Sequence, residues 1–153
     1  MGQVMASSLA LGTIVGHGRY RLAARLGEGA FGEVFRAEQL GPGGRKQRDV
    51  VLKILHAQWA REAEVVRRFE REFMAQFRVE HEHVARMLEQ GRLENGTPFL
   101  VIEYLVGRSF RLLLDDGPVE PTRVAALLAP IAAALEAAHQ RGVVHRDIKP
   151  ENL

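Results

Sequence analysis

The chain has 153 residues, 46% of them hydrophobic, which is enough to bury a core, and its 21 Lys and Arg against 19 Asp and Glu leave a net charge of only +2. So small a surplus excludes a polyanion-coating surface and gives no ground for nucleic acid binding. The absence of cysteine excludes a disulfide framework and a thiolate metal site, and fits a reducing compartment.

The first dozen residues have no basic cluster ahead of their short apolar stretch and are not expected to act as a secretion signal. Ala6 stands where a myristoylation signal needs Ser or Thr. Residues 1–18 are expected to be a disordered leader. Residues 20–26 and 33–38 then read as two strands joined by a glycine-rich turn. That turn, Gly27, Glu28, Gly29, Ala30, Phe31 and Gly32 followed by Glu33 and Val34, fits Gly-x-Gly-x-x-Gly-x-Val. Missing side chains in such a turn let backbone N–H groups close over phosphates. A dinucleotide-binding turn leads into a helix, whereas this one leads into a strand.

A polar turn around residues 41–48 precedes a third strand, 50–55, that holds Lys53 among apolar residues. An ammonium there either snorkels to water or faces an anion that offsets its desolvation. From residue 59 to 77, Val66, Phe69, Phe73 and Phe77 form one stripe of an amphipathic helix. Glu70 and Glu72 both flank that stripe, and helical periodicity does not separate them. Residues 84–88 and 99–104 read as two more strands around the turn at 94–98.

Beyond residue 108 strands give way to helices: a short one near 112–114, a turn at 115–118, and a long one over 122–140 with Pro130 inside. The proline should kink this helix by removing a backbone hydrogen bond. The long helix is apolar nearly all round and is therefore expected to be covered on most sides. Its most apolar run, 124–135, is too short to span a bilayer and is followed by Glu136 and His139, so no membrane crossing is expected. His17, His56, His81, His83 and His139 show no metal-ligand spacing.

The last stretch carries His145, Arg146, Asp147, Lys149, Pro150, Glu151 and Asn152. With the glycine-rich turn and the strand lysine in the same order, it resembles the His-Arg-Asp-x-x-x-x-Asn loop of eukaryotic-type serine/threonine protein kinases of bacterial style. The resemblance implies an α+β, protein-kinase-like fold. Residues 19–153 would be a truncated kinase domain. A five-stranded antiparallel small lobe with one helix, and the hinge, would occupy 19–105, and the start of a mostly helical large lobe 106–153. It also implies ATP and magnesium as cofactors and a protein Ser or Thr hydroxyl as acceptor.

Carried over by position, Leu26 and Val34 would touch adenine, and the backbone from Glu103 to Leu105 would bond it, with Ile102 gating the space behind. Residues 27–32 and Lys53 would hold the phosphates. Arg71-Glu72, with the following His81-Glu82-His83-Val84, is similar to the kinase helix glutamate and the turn after it, which makes Glu72 the expected partner of Lys53. Glu82 and His83 depart from the family's Pro and Asn. Asp147 would orient the acceptor hydroxyl and take its proton, Lys149 would meet the γ-phosphate, and Asn152 would ligate magnesium. His145 would pack the loop, and Arg146 would meet a phosphorylated activation loop.

The sequence contains no Asp-Phe-Gly after Asn152. It is therefore read as a fragment of a kinase, of cytoplasmic location or on the cytoplasmic side of a membrane if an anchor follows, and nearly inactive by itself. The alternative is a non-catalytic nucleotide- or partner-binding module. A small-molecule phosphotransferase is disfavoured by the Lys149-Pro150-Glu151-Asn152 continuation.

Overall fold

The computed structural model describes residues 9–153, apart from the side chains of residues 72, 73, 75 and 76. It divides into two compact units, one formed by residues up to 74 with 87–104, the other by 75–86 with 105–153. Segment 75–86 falls in the second unit.

In the first unit β1 (Ile14–Val15), β2 (Tyr20–Glu28), β3 (Gly32–Leu40), β4 (Lys46–Leu55), β5 (Met87–Arg92) and β6 (Pro98–Glu103) form one antiparallel sheet in the order β1-β2-β3-β4-β6-β5. One helix, α1 (Ala63–Phe77), belongs chiefly to this unit. The sheet has one strand more than the five expected, because β1 pairs with β2 through Ile14 opposite Arg21 and Val15 opposite Tyr20.

That strand also corrects the reading of residues 9–18 as disordered leader. Gly12 N donates to Leu22 O at 2.7 Å and Leu22 N to Thr13 O at 2.9 Å. Val15 is buried and Leu9 packs on the same cluster, so apolar burial and backbone pairing fix the segment. Residues 1–8 lie outside the described residues.

Alternation along the strands places the core. Tyr20, Leu22, Phe35, Ala37, Val50, Leu52, Ile54, Phe99 and Val101 are buried together on one face. Tyr20 meets Phe99 edge to face, 5.8 Å between ring centroids. The other face meets α1, where Phe69 packs with Leu55, Met87 and Leu100. Of the expected helix stripe, Val66 and Phe69 pack in this way, Phe77 is exposed, and the side chain of Phe73 lies outside the description. The helix begins at Ala63 and not at Trp59, because residues 57–59 form a single 3-10 turn first.

Strand β5 lies further along the chain than the apolar residues 84–88 suggest. The tight turn between β5 and β6, closed by Leu93 N to Thr97 O at 2.8 Å, forces Arg92 opposite Pro98 and Gly91 opposite Phe99. As an edge strand, β5 tolerates its polar residues.

In the second unit α2 (Phe110–Asp115) is capped by Ser109, whose side chain accepts from Leu112 N. The long helix α3 (Pro121–Gln140) runs as one element with Pro130 inside it. Only Ala134 and Ala138 of α3 are buried, so the cover expected around it is not supplied by the described residues. At 20 residues α3 exceeds the expected apolar run, and by length and composition it is long and apolar enough to cross a membrane.

Candidate active site

In the first unit the glycine-rich turn joins β2 to β3 as a strand-to-strand hairpin. Cross-strand register puts Gly27 opposite Val34, Val34 opposite Lys53, and Lys53 opposite Leu100, one row across four strands. Period-two alternation then sets Val34 and Lys53, both half-buried, on the face opposite Phe35 and Leu52. That face carries α1, and the Lys53 ammonium stands 5.7 Å from the centroid of the Phe69 ring. Aromatic quadrupole and a half-buried setting keep the ammonium on this face of the sheet.

The three glycines differ in what requires them. A Cβ at Gly32 would lie 2.3 Å from Ile54 O, so the pairing of β3 with β4 excludes any side chain there. A Cβ at Gly27 would meet nothing within 4 Å, and one at Gly29 only Gly32 O at 4.0 Å. Neither fold packing nor a left-handed backbone calls for glycine at 27 and 29; what glycine supplies there is open room beside the backbone. A phosphate-bearing ligand fits such room.

The base of the hairpin is braced by Arg25, whose Nη2 lies 2.6 Å from Glu28 and 2.7 Å from the buried Glu33. Leu26 is half-exposed beside it. Val50 pairs with Glu103 and Val51 with Ile102, which sets the end of β6 by register. Tyr104 follows, with the Arg36 guanidinium 5.8 Å from its ring centroid.

Of the two candidate helix glutamates, Glu70 accepts from Arg92 Nη2 at 2.8 Å and is thereby engaged with β5. The side chain of Glu72 lies outside the described residues. A groove of about 680 Å³ runs along α1, lined by Phe31, Glu64, Val65, Arg68, Arg71 and Met74 among others. None of Gly27, Val34 and Lys53 lines it.

In the second unit the structure brings together Asp147, Lys149 and Asn152. Lys149 Nζ is 3.0 Å from Asp147 Oδ2. Asn152 Nδ2 donates to the same oxygen at 2.9 Å and to Asp147 O at 2.9 Å. The Lys149 ammonium foremost, and then the Asn152 amide, hold the Asp147 carboxyl below the usual carboxylate range.

Arg146 adopts φ 64°, a left-handed conformation uncommon for a residue with a side chain, and Asp147 N donates to His145 Nδ1 at 3.3 Å. The turn continues into a 3-10 segment, Pro150–Asn152, and Leu153 O accepts from Phe110 N at 2.8 Å, which ties the loop to the start of α2. Leu105, the other expected contributor from this unit, is largely exposed.

Among the described residues no group of three or more His, Asp or Glu could hold a metal ion. With Asn152 Nδ2 committed to Asp147, its Oδ1 remains as a hard oxygen donor that suits magnesium as one ligand of several.

The first unit is thus an antiparallel sheet with an open glycine hairpin in register with a lysine, and the second carries a loop in which Lys149 and Asn152 both bond Asp147. The protein kinase domain family matches residues 20–153, and the chain belongs to that family.

Serine/threonine-protein kinase pkn3 of Myxococcus xanthus is 38% identical over 136 residues, which is 88% of this chain and 24% of the relative. Serine/threonine-protein kinase PknD of Mycobacterium tuberculosis is 40% identical over 137 residues, 89% of this chain and 20% of the relative. The chain thus spans about a quarter or less of the length of these curated relatives. The crystal structure of the Mycobacterium tuberculosis PknI kinase domain superposes with a TM-score of 0.72 at 30% identity, over 95% of this chain and 57% of that one. PpkA-294 in its apo form superposes at 0.77 with 22% identity, covering 95% of this chain and 56% of that one, a likeness of fold. The matched span includes α3, so that apolar helix is an element of the kinase domain.

Three features were not read from the sequence: β1, the Glu70–Arg92 pair, and the bonds that the glycine loop makes to His56 and Trp59. The order of small and apolar residues in 9–15 was a signal for the first. The other two are long-range contacts with no local pattern.

Proposed function

We propose that the chain is the nucleotide-binding and catalytic-loop part of an ATP-dependent protein serine/threonine kinase. The observation that carries the reading is the mutual bonding of Asp147, Lys149 and Asn152 within a loop of kinase sequence. The first unit supplies the nucleotide set: Leu26, residues 27–32, Val34 and Lys53, with Glu72 as the partner of Lys53 and the backbone of Glu103 to Leu105 for adenine. Engagement of Glu70 with Arg92 favours Glu72 for that pairing.

In the second unit Asp147 Oδ2 is held by Lys149 and Asn152, which leaves Oδ1 to accept a hydrogen bond from an acceptor hydroxyl. A carboxylate held below its usual range is a weak base. It suits orientation of the hydroxyl and late uptake of its proton, which is what a loose phosphoryl-transfer transition state asks of it. Lys149, at 3.0 Å from that carboxylate, stands beside a hydroxyl bound there and offsets charge on the group in transfer. Asn152 Oδ1 would be one oxygen ligand of a magnesium ion, which would supply neutralisation of phosphate charge.

The test is transfer of labelled γ-phosphate from ATP to Ser or Thr of an acceptor protein by the kinase as made in its source cell. Asp147→Asn is expected to cut transfer by at least about 100-fold. Transfer that survives the substitution, or that labels only Tyr, contradicts the reading.

A further inference from the structure

The glycine-rich loop does not hang free. Its three consecutive carbonyls at 29, 30 and 31 are all bonded by the short turn that follows β4. His56 N donates to Phe31 O at 2.8 Å, the His56 ring Nε2 lies 3.1 Å from Gly29 O, and Trp59 Nε1 donates to Ala30 O at 3.3 Å. A carbonyl only accepts, so the histidine nitrogen facing Gly29 must carry its proton, and the indole N–H has no other role than donor. The loop's tip is packed as well. Phe31 stands 6.2 Å from the Trp59 ring, and the Arg68 guanidinium of α1 lies 5.4 Å from the Phe31 ring centroid.

The consequence follows from peptide geometry. In a trans peptide the C=O of one residue and the N–H of the next point in opposite directions, and no cis peptide is present among the described residues. Holding the carbonyls of Gly29, Ala30 and Phe31 against the 56–59 turn therefore aims the N–H groups of Ala30, Phe31 and Gly32 away from it. Three successive donors aimed away from a common anchor form a preset anion cradle, and presetting removes part of the ordering cost of binding.

We infer that His56 and Trp59 are positioning residues, a latch that presets the glycine-rich loop for the phosphates of its nucleotide and raises nucleotide affinity by doing so. The inference rests on the kinase reading given above. Neither residue touches the nucleotide. Both act through the loop backbone, and a loop made mobile by its glycines has the most to gain from such restraint.

The chain has a single tryptophan, so Trp59 emission reports on the latch alone. The experiment titrates the 153-residue chain with a magnesium complex of a non-hydrolysable ATP analogue by calorimetry, beside His56→Ala, His56→Gln, Trp59→Phe and Lys53→Ala. Melting temperatures are read for each.

His56→Ala is expected to weaken binding about five- to tenfold and Trp59→Phe about threefold, the scale of one lost orienting hydrogen bond each. His56→Gln, which keeps an N–H near the same place, should return affinity to within about twofold of wild type. In the nucleotide-free chain, Phe31→Leu should shift Trp59 emission by removing its ring neighbour. Wild-type affinity in His56→Ala and Trp59→Phe, or Trp59 emission indifferent to Phe31→Leu, overturns the latch while leaving the kinase reading intact. A wild-type chain that binds no nucleotide overturns the kinase reading itself, and is a distinct result.

Discussion

Asn152 is tied to Asp147 twice, its Nδ2 donating both to the carboxylate Oδ2 and to the backbone carbonyl of the same residue at 2.9 Å. Lys149 meets the same carboxylate oxygen. The loop thus fixes its orienting carboxylate by one cation and one amide, both supplied within five residues downstream.

Because Lys149 is the foremost cause of the lowered Asp147 pKa, Lys149→Met should raise that pKa toward the ordinary aspartate value, and Asn152→Ala should raise it by less. The sign follows from linkage. A depressed folded-state pKa gives stability that is present above the unfolded value and is lost as pH falls through the folded one. The group is exposed, so the effect on global stability should be small. Carboxyl carbon shifts followed against pH measure it, and an Asp147 titration unmoved in Lys149→Met refutes the assignment.

Gly32 and Gly29 should part company when each is changed to alanine. At 32 the new Cβ meets Ile54 O, and overpacking of this kind costs about 1 to 3 kcal/mol. Thermal melting should fall by several degrees. At 29 nothing in the fold objects, so stability should stay within about 0.5 kcal/mol while nucleotide affinity falls. Equal loss of stability at both positions would show that the loop glycines serve the fold alone.

Tyr20 is wholly buried, and burial, with the Glu89 carboxylate nearby, pushes its phenol up to about 12. Its Oη lacks a well-formed hydrogen bond. Tyr20→Phe should therefore change stability by less than about 1 kcal/mol at neutral pH, whereas Tyr20→Ala, which empties the space beside Phe99, should cost about 3 to 5 kcal/mol. A raised folded-state pKa gives stability that is full below the ordinary tyrosine value and is lost as pH rises toward 12. Chemical denaturation from pH 9 to 12 should show that decline in wild type and a shallower one in Tyr20→Phe.

Helix α3 leaves Leu128 43% exposed among exposed alanines. Exposed apolar faces of this kind associate, so the 153-residue chain should self-associate at micromolar concentration and Leu128→Glu should shift it toward monomer. Sedimentation velocity decides; a wild-type chain that stays monomeric rules out an adhesive α3.

What the sequence disclosed was whatever is written locally. The glycine turn, the strand holding Lys53, the helix stripe through Val66 and Phe69 and the Asp147 loop are all patterns within a few residues of one another. What it did not disclose depends on contacts between distant segments. Glu70 and Glu72 look alike on a helical wheel, and the pairing of Glu70 with Arg92 on β5 is a long-range contact. Strand β5 was placed too early because Val84 to Leu88 is the more apolar stretch, while the tight turn before β6 sets the register. Val15 became a strand residue because Tyr20 and Phe99 form the surface that it covers. His56, which shows no ligand spacing, gains its significance only once the loop carbonyls lie against it.

The measurement that tests the central claim most directly is calorimetric titration of the chain with magnesium ATP, wild type against Lys53→Ala, with melting curves for both. The kinase reading requires saturable binding by wild type, and a loss of about tenfold or more in Lys53→Ala at a melting temperature within a few degrees of wild type. Absence of binding by a folded wild-type chain, or equal affinity in the two proteins, contradicts it.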